Sequence, residues 1–315
     1  MKKTMLLVIT ALLVLFAGCS NDKNPDSHSS AGEPQLRIGL MPDVDSIPFI
    51  IAREKGYFKE EGLSVTLEQF KSAMERDSAL QSGKLDGVIS DMLAQAFAKA
   101  GGFDTVITSL TTGSYKLVVN KNEPAQAVQD LKNKTVAISQ NTIIDYVTDK
   151  IVSDGGLAAA DIHKLVIPQI PARLEMLKNG KVAAATLPEP MATIAVKHGA
   201  KVVQSSEQLA LNPGVLIFTT QSVNEKEAEI RAMYRAYRKA IDYLATEPVE
   251  NYIDLLIAQG GFPDDVKGAL VLPEYKQPAA PQHKDIDDVI AWLQARDLIP
   301  AKYQYDDLVD SRFVR

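Results

Sequence analysis

Strand-type and helix-type patterns alternate along the chain from residue 36 to about residue 205. Short runs rich in branched apolar residues predict buried strands, as in LRIGLM (36–41) and KTVAIS (134–139). Between such runs, apolar residues recur at helical spacing and the segments end at glycine, as in SIPFIIAREKGYFKEEG (46–62). The alternation predicts an α/β fold in which sheets are flanked by helices.

The same series of elements occurs twice. Gly83 aligns with Gly180 at an offset of 97 residues, and Ile38 aligns with Val136 at an offset of 98. The order strand–helix–strand–helix–strand–helix–strand is preserved throughout both copies. We therefore predict two lobes of the same architecture, each a mixed sheet flanked by helices.

Two extended segments lie outside the repeated series, at 111–133 and 212–223. One leaves the first copy and the other follows the second, which predicts a two-stranded hinge between the lobes. On this basis lobe I comprises residues 36–118 and 212–315, and lobe II comprises residues 119–211.

The chain beyond Asn224 carries a helical pattern. Its first helix places five apolar residues on one face, and we expect this face to pack against lobe I: Ile230, Met233, Tyr234, Tyr237 and Ile241. Shorter helices follow, and Trp292 within them is expected to be a core residue.

The first residues have the pattern of an export signal. Lys2 and Lys3 precede an apolar run from Met5 to Phe16, which is too short to span a bilayer. The following LFAGC resembles the lipobox of bacterial lipoproteins, which implies that Cys19, the only cysteine in the chain, is lipidated. An ordinary cleaved signal and an uncleaved anchor are the alternatives.

We accordingly predict a lipoprotein signal peptide at residues 1–18 and a lipid-anchored flexible tether at residues 19–35, because the segment after Cys19 is polar and has no apolar period. The expected location is the cell membrane, on its extracytoplasmic face. Nothing else in the sequence approaches eighteen uninterrupted apolar residues.

Composition narrows the functional classes. The chain is 46% hydrophobic and 23% charged, as in ordinary globular proteins, and its formal charge of −6 argues against nucleic acid as a partner. The four histidines have no metal-binding or relay spacing, and no nucleophile, zinc, phosphate-loop or dinucleotide motif occurs. We therefore predict no catalytic residue, no metal and no cofactor.

Candidate binding residues lie where strands lead into helices. In open α/β sheets, ligands bind outside the carboxyl ends of the strands. Four such loops occur, at 41–46, 89–92, 139–142 and 187–190, and their polar residues could contact a ligand or merely cap helices. With one residue from the hinge, the candidates are Asp43, Asp45, Ser46, Ser90, Asp91, Thr112, Asn141, Thr142 and Glu189.

The charge of these candidates favours one class of solute. Four of them are acidic, and none of the four loops contains lysine or arginine. We therefore expect a neutral or amine-bearing solute, such as a heterocycle, over a bare anion. Arg173 begins a helix close by; we expect it at the surface, with contact to an anion as the alternative.

Three stretches resemble one family: IPFIIAREKGYFKEEGLSVTL, ALQSGKLDGVIS and LPEP. They are similar to solute-binding lipoproteins of ABC importers, in the branch for nitrate, taurine, aliphatic sulfonates and the pyrimidine precursor of thiamine. The resemblance covers residues 36–315. It implies the type II periplasmic-binding-protein fold, with two lobes joined by two strands. Leu187-Pro188 stands where relatives often have an aromatic residue, so aromatic stacking is not expected there.

The same resemblance implies that the protein captures a small solute between the lobes and delivers it to a membrane permease with its ATPase subunit, working as a monomer. Two alternatives remain open. One is an enzyme of the same fold, in thiamine-pyrimidine or menaquinone biosynthesis, and the other is a ligand sensor acting in trans.

Overall fold

The computed structural model describes residues 35–300 and 302–314. The predicted signal peptide, Cys19 and nearly all of the predicted tether lie outside the described residues. Within the described ranges, no helix combines the length and the apolar composition needed to cross a bilayer.

Two five-stranded mixed sheets form the framework. The first has the order β2-β1-β3-β10-β4 and is built from β1 (Gln35–Leu40), β2 (Ser64–Gln69), β3 (Gly87–Asp91), β4 (Thr105–Leu110) and β10 (Gly214–Thr219). The second has the order β7-β6-β8-β5-β9 and is built from β5 (Tyr115–Val119), β6 (Thr135–Ile138), β7 (His163–Val166), β8 (Ala184–Pro188) and β9 (Lys201–Ser205).

The two sheets share one topology. The central pair β1 and β3 is parallel, with Ile38 opposite Gly87, and its counterpart β6 and β8 is also parallel, with Val136 opposite Ala184. The glycine before β3 and the glycine before β8, Gly83 and Gly180, both have left-handed φ angles, of 73° and 65°. The predicted duplication of architecture is confirmed.

Each sheet contains one antiparallel strand that adjoins, along the chain, the strands of the other sheet. Strand β5 follows the first series directly but pairs with β8 and β9, whereas β10 follows the second series but pairs with β3 and β4. The chain therefore crosses between the sheets at 111–114 and again at 206–213. Strand β5 lies wholly in the second sheet, so the first crossing comes before Tyr115, earlier than the expected lobe boundary at 118/119.

Twelve helices cover the sheets in the part of the chain that the structure describes. Those of the two repeated series are α1 (Ile47–Glu54), α2 (Tyr57–Glu60), α3 (Ala73–Gln81), α4 (Met92–Ala100), α5 (Ile143–Asp154), α6 (Ile170–Lys178) and α7 (Met191–Lys197). The remainder are α8 (Thr220–Glu225), α9 (Glu227–Thr246), α10 (Ile253–Gly260), α11 (His283–Gln294) and α12 (Tyr305–Leu308).

Two predicted elements differ from the structure. The single helix expected over 46–62 is interrupted at Gly56, whose φ of 76° is left-handed and ends α1 before α2 begins. The strand expected over 212–223 ends at Thr219, because the Thr219 hydroxyl caps a new helix by accepting a hydrogen bond from the backbone N–H of Ser222 at 3.1 Å.

The C-terminal helices pack against lobe I as predicted. The five apolar residues expected on one face of α9 are all buried, and Phe49 of α1 lies 5.1 Å from Tyr237, measured between ring centroids. Trp292 is buried, as expected for a core residue, and its indole N–H donates to Asp149 of α5 at 3.2 Å. Helix α11 thereby contacts both lobes.

The close pairing of β3 with β10 leads to a stability prediction. A Cβ atom at Gly87 would lie 2.7 Å from the ring of Phe218 and 2.9 Å from the backbone oxygen of Ile217. Because backbone cannot give way as a flexible side chain can, we expect Gly87→Ala to cost about 1–3 kcal/mol. Thermal unfolding should show a clearly lowered melting temperature. Ser78→Ala, at an exposed helix position, is the control, and equal melting temperatures for the two variants would contradict the packing described.

Candidate functional site

A cavity lies between the carboxyl ends of the strands of both sheets. Its volume is about 40 Å³, enough for about three water molecules. All four predicted loops reach it. Its wall consists of Met41, Asp43, Asp45, Ala73, Arg76, Ile89, Ser90 and Asp91 from lobe I, and Tyr115, Ser139, Thr142, Ile143, Ile144, Pro168, Ile170, Arg173 and Pro188 from the second sheet and its helices.

Two neighbouring carboxylates form the lobe I wall at the end of β1. The hydroxyl of Ser46 donates to Asp43 Oδ1 at 3.1 Å, and the hydroxyl of Tyr115 donates to Asp45 Oδ2 at 3.5 Å. Asp45 Oδ1 has no hydrogen-bond partner; the Thr111 hydroxyl approaches it without hydrogen-bonding geometry. Burial raises the pKa of both carboxyls, and the charge of Asp45 raises the pKa of Asp43 further.

A third carboxylate and a guanidinium complete this wall. Asp91 ends β3 and caps α4, accepting a hydrogen bond from the backbone N–H of Ala94 at 2.9 Å. Arg76 of α3 lies 2.8 Å from Asp77 and 4.0 Å from Asp91, so it is already paired within lobe I. Burial raises the pKa of Asp91 although the charge of Arg76 opposes the shift.

The lobe II wall includes the N-terminus of a helix. The Thr142 hydroxyl caps α5 by accepting a hydrogen bond from the backbone N–H of Ile144 at 3.2 Å, and it donates to the backbone carbonyl of Ser139 at 2.8 Å. The first residues of α5, Ile143 and Ile144, add apolar surface. The N-terminal end of α5 gives the wall a partial positive charge, and the backbone N–H of Ile143 is directed at the Asp91 carboxylate of lobe I.

Arg173 supplies a full positive charge to the lobe II wall of the cavity. Its side chain is fully buried, donating to the carbonyl oxygens of Thr186 at 3.0 Å and Ile167 at 2.8 Å, while Nη2 has no partner. In the described part of the chain no carboxylate lies within 4 Å of it. Burial lowers the pKa of this guanidinium to about 9, which reflects the missing counter-ion.

Five predicted candidates line the cavity: Asp43, Asp45, Ser90, Asp91 and Thr142. The other four lie elsewhere. The hydroxyl of Ser46 is 2.7 Å from the backbone carbonyl of Met41, behind the wall. Asn141, with φ of 58°, and Thr112 each line a separate surface depression.

Glu189 is buried but is not part of the wall. Its carboxylate accepts a hydrogen bond from Lys116 Nζ at 2.5 Å and another from the backbone N–H of Thr193 at 3.0 Å. Its backbone carbonyl instead connects the lobes, because it accepts a hydrogen bond from the N–H of Val44 at 3.0 Å. Pro188, the preceding residue, is the one that faces the cavity.

Neither arginine of the wall is among the nine predicted binding residues, although the sequence leaves contact between Arg173 and an anion open as an alternative. The expectation that Arg173 lies at the surface is wrong, since its side chain is fully buried. Arg76 and Arg173 are each the fourth residue of a helix, α3 and α6, that follows a strand outside the four predicted loops, and both side chains line the cavity. A search that included the first turn of each helix would have found them.

The wall is suited to holding a small polar solute. Lobe I offers carboxylate and hydroxyl groups together with the paired guanidinium of Arg76, and lobe II offers the guanidinium of Arg173 and the N-terminus of α5. Across the described ranges, no group of three or more histidine, cysteine, aspartate or glutamate side chains is placed to hold a metal ion.

A family model described as NMT1/THI5 like matches residues 43–251. The matched region includes every residue of the cavity wall except Met41. The chain belongs to the NMT1/THI5-like family.

Relatives of this NMT1/THI5-like protein have different activities. One from Brachyspira hyodysenteriae, named as a putative ABC transporter periplasmic binding protein, is 24% identical over 77% of this chain and 73% of its own. A 4-amino-5-hydroxymethyl-2-methylpyrimidine phosphate synthase from Saccharomyces cerevisiae is 25% identical over 69% of each chain.

The fold matches a solved structure closely. The alkanesulfonate-binding protein SsuA from Xanthomonas axonopodis pv. citri, solved with MOPS bound, has a TM-score of 0.76 at 19% identity, covering 90% of this chain and all of its own. The predicted two-lobe type II periplasmic-binding-protein fold is thereby confirmed.

The buried acidic pair makes a prediction about pH. A folded-state pKa raised above the ordinary 3.8 means that the folded protein holds these protons when the unfolded chain has lost them. The pair therefore stabilises the ligand-free fold most at low pH, and this contribution is lost as pH rises toward neutrality and beyond.

Replacing both carboxyls with amides (Asp43→Asn with Asp45→Asn) should remove this dependence. Relative to the wild type, the variant should gain free energy of unfolding between pH 4 and pH 8, by at least about 1.4 kcal/mol, which corresponds to a tenfold change in a protonation equilibrium. Chemical denaturation across that range measures it. Asp242→Asn, at an exposed position, is the control, and a difference that shrinks with rising pH would contradict the assignment.

Proposed function

We propose that this protein is the solute-binding component of an ABC import system. In this role it captures a small molecule in the cavity between its lobes and delivers it to a membrane permease with its ATPase subunit. The observation that carries the proposal is the cavity itself, whose wall is assembled from the strand ends of both sheets. A site divided between two lobes closes on a solute and releases it when the lobes part.

Similarity to known proteins supports a solute-binding protein of an ABC transporter but does not identify the solute. The relative from Brachyspira hyodysenteriae carries the name of a periplasmic binding protein of an ABC transporter, and SsuA is a binding protein for alkanesulfonates. Both match more than three quarters of this chain. The names of these proteins and of the yeast synthases do not point to one common solute.

The acidic wall of lobe I supports an amine-bearing solute, as the acidic loop residues of the sequence lead us to expect. Asp43, Asp45 and Asp91 all face the cavity, and Asp45 Oδ1 is free to accept a hydrogen bond. A heterocycle with an exocyclic amine would satisfy these acceptors. The expectation against anions was based on the four acidic candidates and on the lack of lysine and arginine in the loops. Arg173 in the wall removes the second of these two reasons.

An enzymatic function is the second candidate, because the yeast relatives in the family are pyrimidine phosphate synthases. The described residues of the cavity wall include no histidine or cysteine, which are the commonest general base and the strongest side-chain nucleophile. This composition favours binding over conversion.

Ligand binding without conversion is the test of the proposed function. The purified protein should be screened by thermal unfolding against pyrimidines, amines, sulfonates and oxyanions. At a solute concentration 100 times the Kd, we expect a stabilisation of about 2.7 kcal/mol, and the recovered solute should be chemically unchanged by mass spectrometry.

Native mass spectrometry of the untreated protein provides the control, because a solute carried through purification would mask binding. Recovery of a converted solute would contradict the proposal and support the enzyme. So would the absence of any bound or binding solute in both experiments.

We also propose that the protein is held at the extracytoplasmic face of the membrane by lipid on Cys19. The support is the sequence pattern alone, in which an apolar run leads to LFAGC. Cells producing the protein should incorporate labelled palmitate into it, and Cys19→Ala should lose the label. Ser20→Ala is the neighbouring control. Undiminished labelling of Cys19→Ala would rule out the anchor.

A further inference from the structure

The two lobes present opposite charge to the same cavity. The lobe I wall contains three carboxylates, those of Asp43, Asp45 and Asp91, and one guanidinium, that of Arg76, which Asp77 already pairs at 2.8 Å. Among the described residues, the lobe II wall contains one charged side chain, Arg173, and the N-terminus of α5. The acidic and basic groups therefore face a common space from different lobes.

Arg173 is a buried cation without a counter-ion among the described residues. Three backbone carbonyls accept hydrogen bonds from Nε and Nη1, at distances of 2.8 to 3.4 Å, and these hold the guanidinium plane in place. Nη2 has no partner, and the residue lines the cavity. A buried charge in this state is costly unless something of opposite charge approaches it, and a guanidinium is suited to carboxylate or sulfonate oxygens.

The lobe I wall contains hydrogen-bonding groups without a partner. Asp45 Oδ1 and the hydroxyl of Ser90 are buried and have no hydrogen-bond partner, and both residues line the cavity. Burial raises the pKa of Asp43 and Asp45, although the charge of Arg76 opposes the shift. An N–H donor, and above all a protonated amine, would satisfy them.

We infer that the solute is bipolar, with an ammonium or strongly N–H-donating group at one end that contacts Asp45 in lobe I, and an oxyanion at the other end that contacts Arg173 in lobe II. This inference rests on the proposed solute-binding function and specifies its ligand. Each lobe binds one end, so the solute joins the lobes and stabilises the closed arrangement.

A solute with only one charged end would leave a buried group unsatisfied. An amine without an oxyanion leaves the Arg173 guanidinium without a counter-ion. An anion without a hydrogen-bond donor lies next to the carboxylates of lobe I and is repelled by them. Because a buried charge that lacks its partner is strongly destabilising, closure around such half-molecules is disfavoured. Asp45 and Arg173 line the same cavity of about 40 Å³, so a small solute is the one expected to contact both.

The experiment compares solutes matched in skeleton. The bipolar set is glycine, β-alanine and 2-aminoethanesulfonate; the amine set is methylamine and ethylamine; the anion set is acetate, propionate and ethanesulfonate. Binding to the purified protein is measured by thermal unfolding and by titration calorimetry. We expect at least one bipolar solute to bind, and the amines and anions that correspond to its two halves to bind at least about 30-fold more weakly.

Single substitutions test which residue contacts each end of the solute. Asp45→Asn and Arg173→Gln should each weaken binding of the bipolar solute by about 30-fold or more. Asp45→Asn should at the same time raise the melting temperature of the ligand-free protein, because it removes an unfavourable buried charge. Asp242→Asn and Arg235→Gln, exposed positions on α9, are the matched controls and should bind as the wild type does.

Arg173→Gln could lose its fold together with its three carbonyl contacts. Arg173→Lys keeps the positive charge without the planar guanidinium, and circular dichroism shows whether each variant is folded. A folded Arg173→Lys that binds the bipolar solute more weakly than the wild type supports the inference equally.

Three outcomes would overturn the bipolar ligand. They are a singly charged solute that binds as tightly as its bipolar counterpart, tight binding that survives both Asp45→Asn and Arg173→Gln, and no binding by any bipolar solute. The first two leave the solute-binding function in place, because a solute is still bound. Chemical conversion of a solute would instead overturn the function itself.

Discussion

The two chain crossings at 111–114 and 206–213 are the constraint on which the rest of the structure depends. Because β5 and β10 are each exchanged into the sheet on the far side, neither sheet is complete without the other half of the chain. The exchange also directs the carboxyl ends of the parallel strands of both sheets toward one space. The cavity is a consequence of this topology, and local side chains then determine what it holds.

Some polar groups of the cavity wall are residues that cap helices. Asp91 and Thr142 cap α4 and α5 while facing the cavity, so the residues that start the helices also form part of its wall. Arg173 is different, because its guanidinium is fixed by backbone carbonyls and not by an acid. This arrangement leaves Nη2 of Arg173 available to a ligand. The backbone of lobe II thereby positions the group that would bind a negatively charged ligand atom.

The repeated architecture was predictable from sequence, because strand and helix periodicity at an offset of about 97 residues is a local signal. The strand exchange was not, since pairing of β5 with β8 rather than β4 depends on contacts distant in sequence. Part of the cavity wall could be found from the loops, as with Asp43 and Asp91. The first turns of α3 and α6 would have added Arg76 and Arg173 to the candidates. The direction of Glu189 toward Lys116 depends on tertiary packing that no local pattern encodes.

The central claim is that one small solute contacts both lobes at once. A crystal structure of the protein with the solute it carries through purification, or with the tightest-binding solute of the screens, tests this most directly. The account predicts electron density between Asp45 of lobe I and the guanidinium of Arg173 in lobe II, with atoms within hydrogen-bond distance of each. Density that contacts one lobe alone, or that lies outside this cavity, would contradict it.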